Sequence, residues 1–255
     1  LVSTGSITLA TGKPGSTLDI GQEMTLEADI DITGCTGAVM LFSAVDPETS
    51  DLALAVMIDS SSQITVAYKP ASNSVGGPTQ GSISHESIWM QADKPGWIHI
   101  SISIGPSLFV AMLNQNMGQR WISPIALSPG LKWAFGAPMQ GANGFCGAVR
   151  ALRIWSVAMP AARLRMLGQE ETTGKEADLV GYWPLDEGIG NRALNLAAEA
   201  ETHMAIVHNG EWLESKIPRV AAVPRASTRT LPRVVPPPHR GAAGSPGPAE
   251  RARPT

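Results

Sequence analysis

The chain has 255 residues, of which 43% are apolar and 16% charged, and its formal net charge at pH 7 is −3. This length allows one large all-β domain or two small ones, and 26 glycines with 20 prolines are more than a largely helical protein tolerates. No apolar run approaches the roughly 20 residues that cross a bilayer, so we predict no membrane span. Because the first residue is Leu1, we interpret the sequence as a fragment or processed chain and expect a module of a larger protein.

Charge is unevenly distributed along the chain. Residues 218–255 contain seven arginines, one acidic residue and nine of the 20 prolines, with no aromatic residue, whereas the remaining 217 residues carry a net charge of −9. A segment of this composition buries too little apolar surface to offset its ordering entropy, so we predict a disordered tail over residues 217–255. The acidic part that precedes it argues against a nucleic-acid-binding domain.

Short apolar stretches separated by turn residues recur about every ten residues, which is typical of an all-β sandwich or jelly roll. In residues 24–31, apolar side chains alternate with polar and acidic ones, which predicts a half-buried strand with a solvated acidic face. Residues 71–81 read as a loop. The predicted strands cover residues 6–9, 23–31, 39–42, 52–58, 64–68, 87–91, 97–104, 108–113, 121–127 and 131–135.

A longer strand and a short helix follow. The apolar spacing changes between Val149 and Leu152, and a β-bulge near Arg150 would keep the apolar side chains on one face. Pro160 suits the first turn of a helix of one or two turns, and Gly168 is a natural C′ residue to end it. Cys35 and Cys146 are the two cysteines, and their spacing leaves open whether they pair in an oxidising compartment.

Five motifs, in the right order over about residues 3–215, resemble the laminin-G-like (concanavalin A-like lectin/glucanase) jelly-roll family. They are Met-Thr-Leu-Glu-Ala at 24–28, Trp-Ile-His-Ile at 97–100, Phe-x-Gly-x-Val-x-x-Leu-Arg-Ile-Trp at 145–155, the strand and glycine turn at 179–191, and the final strand at 204–212. The resemblance implies a jelly-roll β-sandwich of two antiparallel sheets with one short helix over residues 1–216. It also implies a non-catalytic, lectin-like recognition module of a secreted or cell-surface protein, which binds glycan or an extracellular protein.

The same fold hosts hydrolases, so a glycoside hydrolase is an alternative. Glu27, Asp29 and Asp31 alternate on one strand, and such alternation places carboxyl groups on one face at the separation that retaining glycosidases use, about 5–5.5 Å. A solvated outer face explains the same pattern. Since no metal-binding, phosphate-binding or nucleophile motif stands elsewhere, we assign no catalytic residue. A structural spacer without a ligand is a further alternative.

Tryptophans and loop carboxylates are the candidate binding residues. Trp89, Trp121 and Trp133 fall outside the family-matched strands, and an exposed indole could stack on a sugar ring; we take Trp121 and Trp133 as the candidates. Asp19 and Asp186 could hold Ca²⁺, which takes oxygen ligands, although a turn hydrogen bond explains Asp186 equally well. Where the family often has an acidic residue after the glycine turn, this chain has Asn195.

Overall fold

The structure is a computed structural model, and all its described strands belong to one compact unit, Leu1–Ser215. The predicted loop over residues 71–81 and the predicted tail from residue 217 lie outside the described residues. The described residues are 2–9, 18, 20–61, 63–70, 83–90, 96–114, 116–122, 124–125, 127, 130–137, 144–197 and 205–213.

The described part of the chain forms fifteen strands and one helix. In chain order they are β1 Val2–Thr8, β2 Met24–Asp31, β3 Val39–Val45, β4 Leu52–Ile58, β5 Gln63–Tyr68, β6 Ser84–Trp89, β7 Trp97–Ile104, β8 Leu108–Leu113, β9 Asn116–Trp121, β10 Lys132–Phe135, β11 Phe145–Trp155, α1 Ala161–Leu167, β12 Leu179–Trp183, β13 Arg192–Ala193, β14 Ala205–His208 and β15 Glu211–Trp212. Among these residues no helix has the length and apolarity to cross a bilayer.

The strands build an antiparallel sandwich, as predicted. The front sheet has the order β9-β8-β7-β2-β11, and the outer edge of β11 pairs first with β1 and then with β12. The back sheet has the order β6-β5-β4-β3-β10-β1-β14-β13. This is the all-β, jelly-roll-like architecture that the regular spacing of short strands indicates.

Strand β1 belongs to both sheets. Its first residues pair with β11 in the front sheet, and its last residues pair with β10 and β14 in the back sheet. The change of partner falls at Gly5, whose φ of 125° is favourable for glycine, and a Cβ there would collide with the carbonyl oxygen of His208. A glycine at this position therefore lets one strand link the two sheets.

The core lies between the two sheets and follows the predicted alternation. Leu26, Ala28 and Ile30 of β2 are fully buried, and every second residue of β7 from Ile98 to Ile104 faces the same core. The predicted bulge in β11 is present, because the pairing of β11 with β2 shifts by one residue just after Val149. The alternating residues of these strands therefore set the front sheet's inner face.

One predicted strand is wrong. Of the described residues within 121–127, only Trp121 belongs to a strand, because β9 begins at Asn116 and ends at Trp121. Asn114 adopts a left-handed conformation with φ of 52°, so the chain turns tightly after β8 and pairs back at once. The residues of β9 are mostly exposed and polar, so apolar alternation could not reveal this strand.

A second layer covers part of the front sheet's outer face. Residues 157–178, which include α1, place Met159, Leu164 and Leu167 against Trp155 and Met112 in a smaller hydrophobic cluster. Pro160 precedes α1 in an extended conformation, as a residue at a helix start does. We call residues 157–178 the covering segment. Beneath it, the front sheet is buried on both faces.

Cys35 and Cys146 form a disulfide, with Cα atoms 5.8 Å apart. The bond joins the segment after β2 to the start of β11, which lie 111 residues apart in sequence. Sequence spacing left this pairing open, and the sheet register settles it, because Ala148 pairs with Asp31 and so brings the two segments side by side.

Candidate functional site

The acidic residues of β2 lie on the outer face of the front sheet. Glu27 is fully buried, and the side chain of Asp29 is 14% exposed. Asp31, at the end of the strand, accepts a hydrogen bond from the backbone N–H of Thr33 at 2.9 Å. The prediction of a solvated acidic face is wrong for Glu27 and Asp29, because the covering segment lies over them.

Four side chains from three strands meet below that segment. Trp155 donates a hydrogen bond from Nε1 to Glu27 Oε2 at 2.6 Å. His99 places Nε2 at 3.2 Å from Glu27 Oε1 and Nδ1 at 2.9 Å from Asp29 Oδ1. The imidazole therefore lies between two carboxylates.

Arg153 joins Glu27, Asp29 and His99 in what we call the buried charge cluster. Arg150 lies at the rim of this cluster. Arg153 places Nη1 at 3.6 Å from Asp29 Oδ2, and its guanidinium lies 5.4 Å from the ring centroid of Tyr182. Arg150, at the rim, has Nε 3.9 Å from the same Asp29 oxygen. Opposite charges are thus paired rather than left alone beneath an apolar cover, where an unpaired charge is costly.

The pairing shifts the pKa values of two members. Burial alone would lower the pKa of His99, but the hydrogen bonds and negative charges of Asp29 and Glu27 outweigh it and raise that pKa to about 9. Burial would raise the pKa of Asp29, but its hydrogen bond to His99 and the charges of His99, Arg153 and Arg150 hold it below its usual value. At neutral pH His99 is therefore protonated beside an ionised Asp29.

Gly168, at the end of α1, packs directly on His99 of the buried charge cluster. A Cβ at this position would lie 2.7 Å from His99 Cδ2, closer than real side chains approach. Gly168 ends α1 as predicted, and its φ of −68° is in the right-handed region. Glycine stands here because the helix end packs directly on the imidazole, not because the backbone needs a positive φ.

This geometry bears on the hydrolase alternative. A retaining glycosidase needs an acid and a nucleophile that both reach the sugar. Glu27 has no exposed surface and is held by Trp155 and His99, while Asp29 is paired with His99 and the two arginines. The acidic strand does not open into a cleft.

The two predicted tryptophans have opposite environments. Trp121 ends β9 and is 73% exposed, so its ring is available to a ligand. Trp133 is 2% exposed, in β10 between β1 and β3, so the prediction of a binding role is wrong for this residue. The parity of Leu131, Trp133 and Phe135 could have shown this, because all three alternate inward.

Trp89 is the exposed tryptophan that sequence reasoning did not assign to the binding site. It ends β6 and is 67% exposed, directly after the buried Ile88. Period-two alternation predicts that the neighbour of an inward residue points outward, so Ile88 was the available signal. The structure thus offers Trp89 and Trp121, one from each sheet.

Strands β6 and β9 are the edges of the back and front sheets, and they lie against each other to form what we call the seam. A Cβ at Gly118 of β9 would collide with Ile88 of β6. Two residues further along β9, Arg120 donates from Nε to the carbonyl oxygen of Ser87 at 3.2 Å and lies 3.8 Å from Glu86. Because the residue numbers rise in β9 as they fall in β6, the two strands run antiparallel across the seam.

The outward faces of both seam strands carry the exposed rings. Ile88 points inward, so Trp89 and Ser87 point outward from β6. Gly118 faces Ile88, so Met117, Gln119 and Trp121 point outward from β9. Trp89 therefore lies on the outer face of the back sheet, whereas Met117, Gln119 and Trp121 lie on the outer face of the front sheet.

The predicted calcium ligands are not brought together by anything the structure describes. Asp186 is exposed and follows Leu185, which has φ of 56°, whereas Asp19 lies outside the described residues. Within the described ranges, no group of three or more His, Cys, Asp or Glu side chains is arranged to hold a metal ion. Calcium binding at these residues stays a prediction.

Comparison with known proteins identifies the fold. No protein-family model and no curated protein sequence matches the chain. Among solved structures, it is similar to a candidate carbohydrate-binding protein from Bacteroides ovatus, with a TM-score of 0.55 and 13% identity over 84% of this chain and 59% of the other. It is also similar to the CBM40 domain of the Ruminococcus gnavus IT-sialidase, with a TM-score of 0.50 and 10% identity over 66% of this chain and 97% of the other.

These similarities agree with the antiparallel β-sandwich described above. At such low identities they carry the fold and not the ligand, since one fold hosts many functions. The chain spans 59% of the length of the Bacteroides ovatus protein.

Proposed function

We propose that this domain is a non-catalytic carbohydrate-binding module of a secreted or cell-surface protein, in which sugar rings stack on Trp121 of the seam. The observation that carries the proposal is the 73% exposure of this indole at the edge of a lectin-like sandwich. A large aromatic ring left in water costs free energy that a sugar's apolar face removes. A class of sandwich domains described as carbohydrate-binding supports the same assignment.

The buried charge cluster supports a module without catalysis. Its carboxylates are engaged within the front sheet, where Glu27 accepts a hydrogen bond from Trp155 and both Glu27 and Asp29 pair with His99. The strands whose motifs resemble the laminin-G-like family supply the core and the buried charge cluster, and none of them forms the seam. The resemblance therefore agrees with a module in which the cluster has no catalytic role.

The disulfide supports a secreted or surface location. Disulfides persist in oxidising compartments and are rare in the cytosol. The Cys35–Cys146 bond joins two elements of the sandwich, so it belongs to the folded domain rather than to a linker.

The test is a glycan array screened with the full chain, followed by calorimetric titration of the sugars that bind. Trp121→Ala should weaken binding by on the order of tenfold, the value of one aromatic stacking contact. Ile189→Ala is the matched control, since Ile189 is 81% exposed and does not lie on the seam strands. Binding that is unchanged in Trp121→Ala would contradict the seam as the site.

A recognition module that binds protein instead of glycan gives a different result. The array would then show no binding to any sugar, while the melting temperature of the chain would stay flat across the panel. Adding Ca²⁺ or EDTA to the same melts tests the calcium prediction, because a bound ion raises the melting temperature.

A further inference from the structure

We infer that Trp89 forms a second sugar-binding site on the outer face of the back sheet, so that one domain binds two neutral glycans and links them. The first site is the one proposed at Trp121, on the outer face of the front sheet. This inference rests on the proposed function and adds a second site, the number of glycans bound and their charge class. It follows from the position of Trp89, the groups around its ring and its separation from Trp121.

Trp89 lies on the outward face of β6, because its neighbour Ile88 points into the core. It pairs directly with Gln63 of β5, next to the pair that Ile88 forms with Ile64. The indole is 67% exposed although it belongs to a regular strand. A ring that a sheet holds in water is available to a ligand with an apolar face.

The side chains beside this ring, on the same face of the sheet, are polar and uncharged. Gln63 lies opposite Trp89, and Ser87 lies two residues before it on β6. Ser87 pairs with Thr65 of β5, and their hydroxyl groups share a hydrogen bond at 2.8 Å. An exposed ring bordered by hydroxyl and amide groups matches a sugar, which presents an apolar face and hydroxyl groups together.

The charges near this site favour a neutral glycan. Asp59, in the turn before Gln63, accepts hydrogen bonds from the backbone N–H groups of Ser61 and Gln63, each at 2.9 Å. Glu86 points to the other face of β6 and lies 3.8 Å from Arg120 across the seam. A carboxylated or sulfated sugar would approach two carboxylates, and the arginine beside them is already paired.

The two exposed rings are too far apart for one sugar ring to stack on both. Gly118 of β9 lies opposite Ile88 of β6. The seam is antiparallel, so Trp89 is at the level of Met117. Trp121 is four residues beyond Met117, about 13 Å along the strand, and its ring projects from the opposite outer face of the sandwich. Each ring therefore takes its own sugar, and a domain with two such sites links two glycan chains.

The first experiment follows the indole N–H signals by NMR while the full chain is titrated with cellobiose, xylobiose, mannobiose and lactose in turn. At least one of these neutral disaccharides should shift the signals of both Trp89 and Trp121. Because separate sites act independently, the dissociation constant at Trp89 should stay within about twofold in Trp121→Ala, and that at Trp121 should do the same in Trp89→Ala. His85→Ala is the matched control, since His85 is exposed on the same face of β6.

The second experiment tests the linking of two glycans. Latex beads that carry the bound disaccharide should agglutinate with the wild type and with His85→Ala. Trp89→Ala and Trp121→Ala should each lose agglutination, because a single site does not join two beads. Agglutination that persists in Trp89→Ala would overturn the linking role. Circular dichroism of each variant checks that the exposed substitutions leave the fold intact.

The outcomes separate this inference from the proposed function. If none of the four disaccharides moves the Trp89 signal, or if its shift disappears in Trp121→Ala, the second site is overturned while glycan binding at Trp121 stands. If Trp89 responds only to acidic sugars from the glycan array, the neutral class is overturned. If no sugar on the array binds, both the inference and the proposed function fail.

Discussion

Gly168 shows how one missing side chain positions a whole segment. Its Cα lies so close to His99 that an added Cβ would stand 2.7 Å from the imidazole Cδ2. His99 cannot easily move away, since both of its ring nitrogens face carboxylates. The contact therefore sets how closely the end of α1 approaches the front sheet.

Gly168→Ala should destabilise the protein by about 1–3 kcal/mol, the cost of forcing an extra methyl group into a packed site. Backbone strain does not contribute, because φ at Gly168 is −68°. Urea denaturation followed by tryptophan fluorescence measures the change. The control is Gly21→Ala, where an added Cβ meets no atom within 4 Å. Equal stability of Gly168→Ala and the wild type would show that the helix end does not press on His99.

At the scale of elements, the covering segment explains why Glu27 and Asp29 of β2 are buried although the sequence predicts a solvated acidic face. Alternation in β2 correctly predicted which side chains face the core, because that pattern depends on the strand alone. It could not predict that residues 157–178 return over the other face, since that depends on contacts distant in sequence. The same limit applies to the seam, where β6 and β9 meet although they are distant in sequence and belong to different sheets.

Burial of His99 between two carboxylates should make the free energy of unfolding depend on pH. The folded protein binds the His99 proton more tightly, with a pKa of about 9 against 6.5 for the ordinary group. The stabilisation is therefore complete below about pH 6.5 and is lost as pH rises through 9. This pKa difference corresponds to about 3 kcal/mol.

Urea denaturation from pH 6 to 10 measures this dependence, with His99→Gln as the control. The difference in unfolding free energy between wild type and variant isolates the part that depends on the His99 proton, because titrating groups distant from His99 contribute equally to both proteins. That difference should shrink as pH rises from about 6.5 to about 9. A difference that is constant over this range would mean that His99 is not held as an imidazolium between the carboxylates.

At the scale of the whole molecule, one disulfide and strand β1, which pairs in both sheets, link parts of the sandwich that are distant in sequence. The Cys35–Cys146 bond closes a loop across 111 residues of sequence. The fold class followed from the sequence because many short strands at regular spacing leave few architectures. The disulfide did not follow from the sequence, because the pairing of the two cysteines depends on the register between β2 and β11 rather than on their spacing in the sequence.

Replacing both cysteines, Cys35→Ser with Cys146→Ser, should lower the unfolding free energy by about 4–5 kcal/mol in the chain-entropy description of a loop this long. The variant should still fold, since a domain of this size has a sufficient core. Urea denaturation of the oxidised wild type, the reduced wild type and the double variant measures the effect, and the last two should agree. An unchanged midpoint on reduction would show that the bond does not constrain the unfolded chain.

The indole N–H signals of the seven tryptophans, followed by NMR during titration with a sugar that binds on the array, test the central claim most directly. The signal of Trp121 should shift along the binding curve, while those of the buried Trp133, Trp155 and Trp183 should remain in place. Shifts confined to other tryptophans, with that of Trp121 unmoved, would place the binding surface elsewhere on the sandwich and contradict the account.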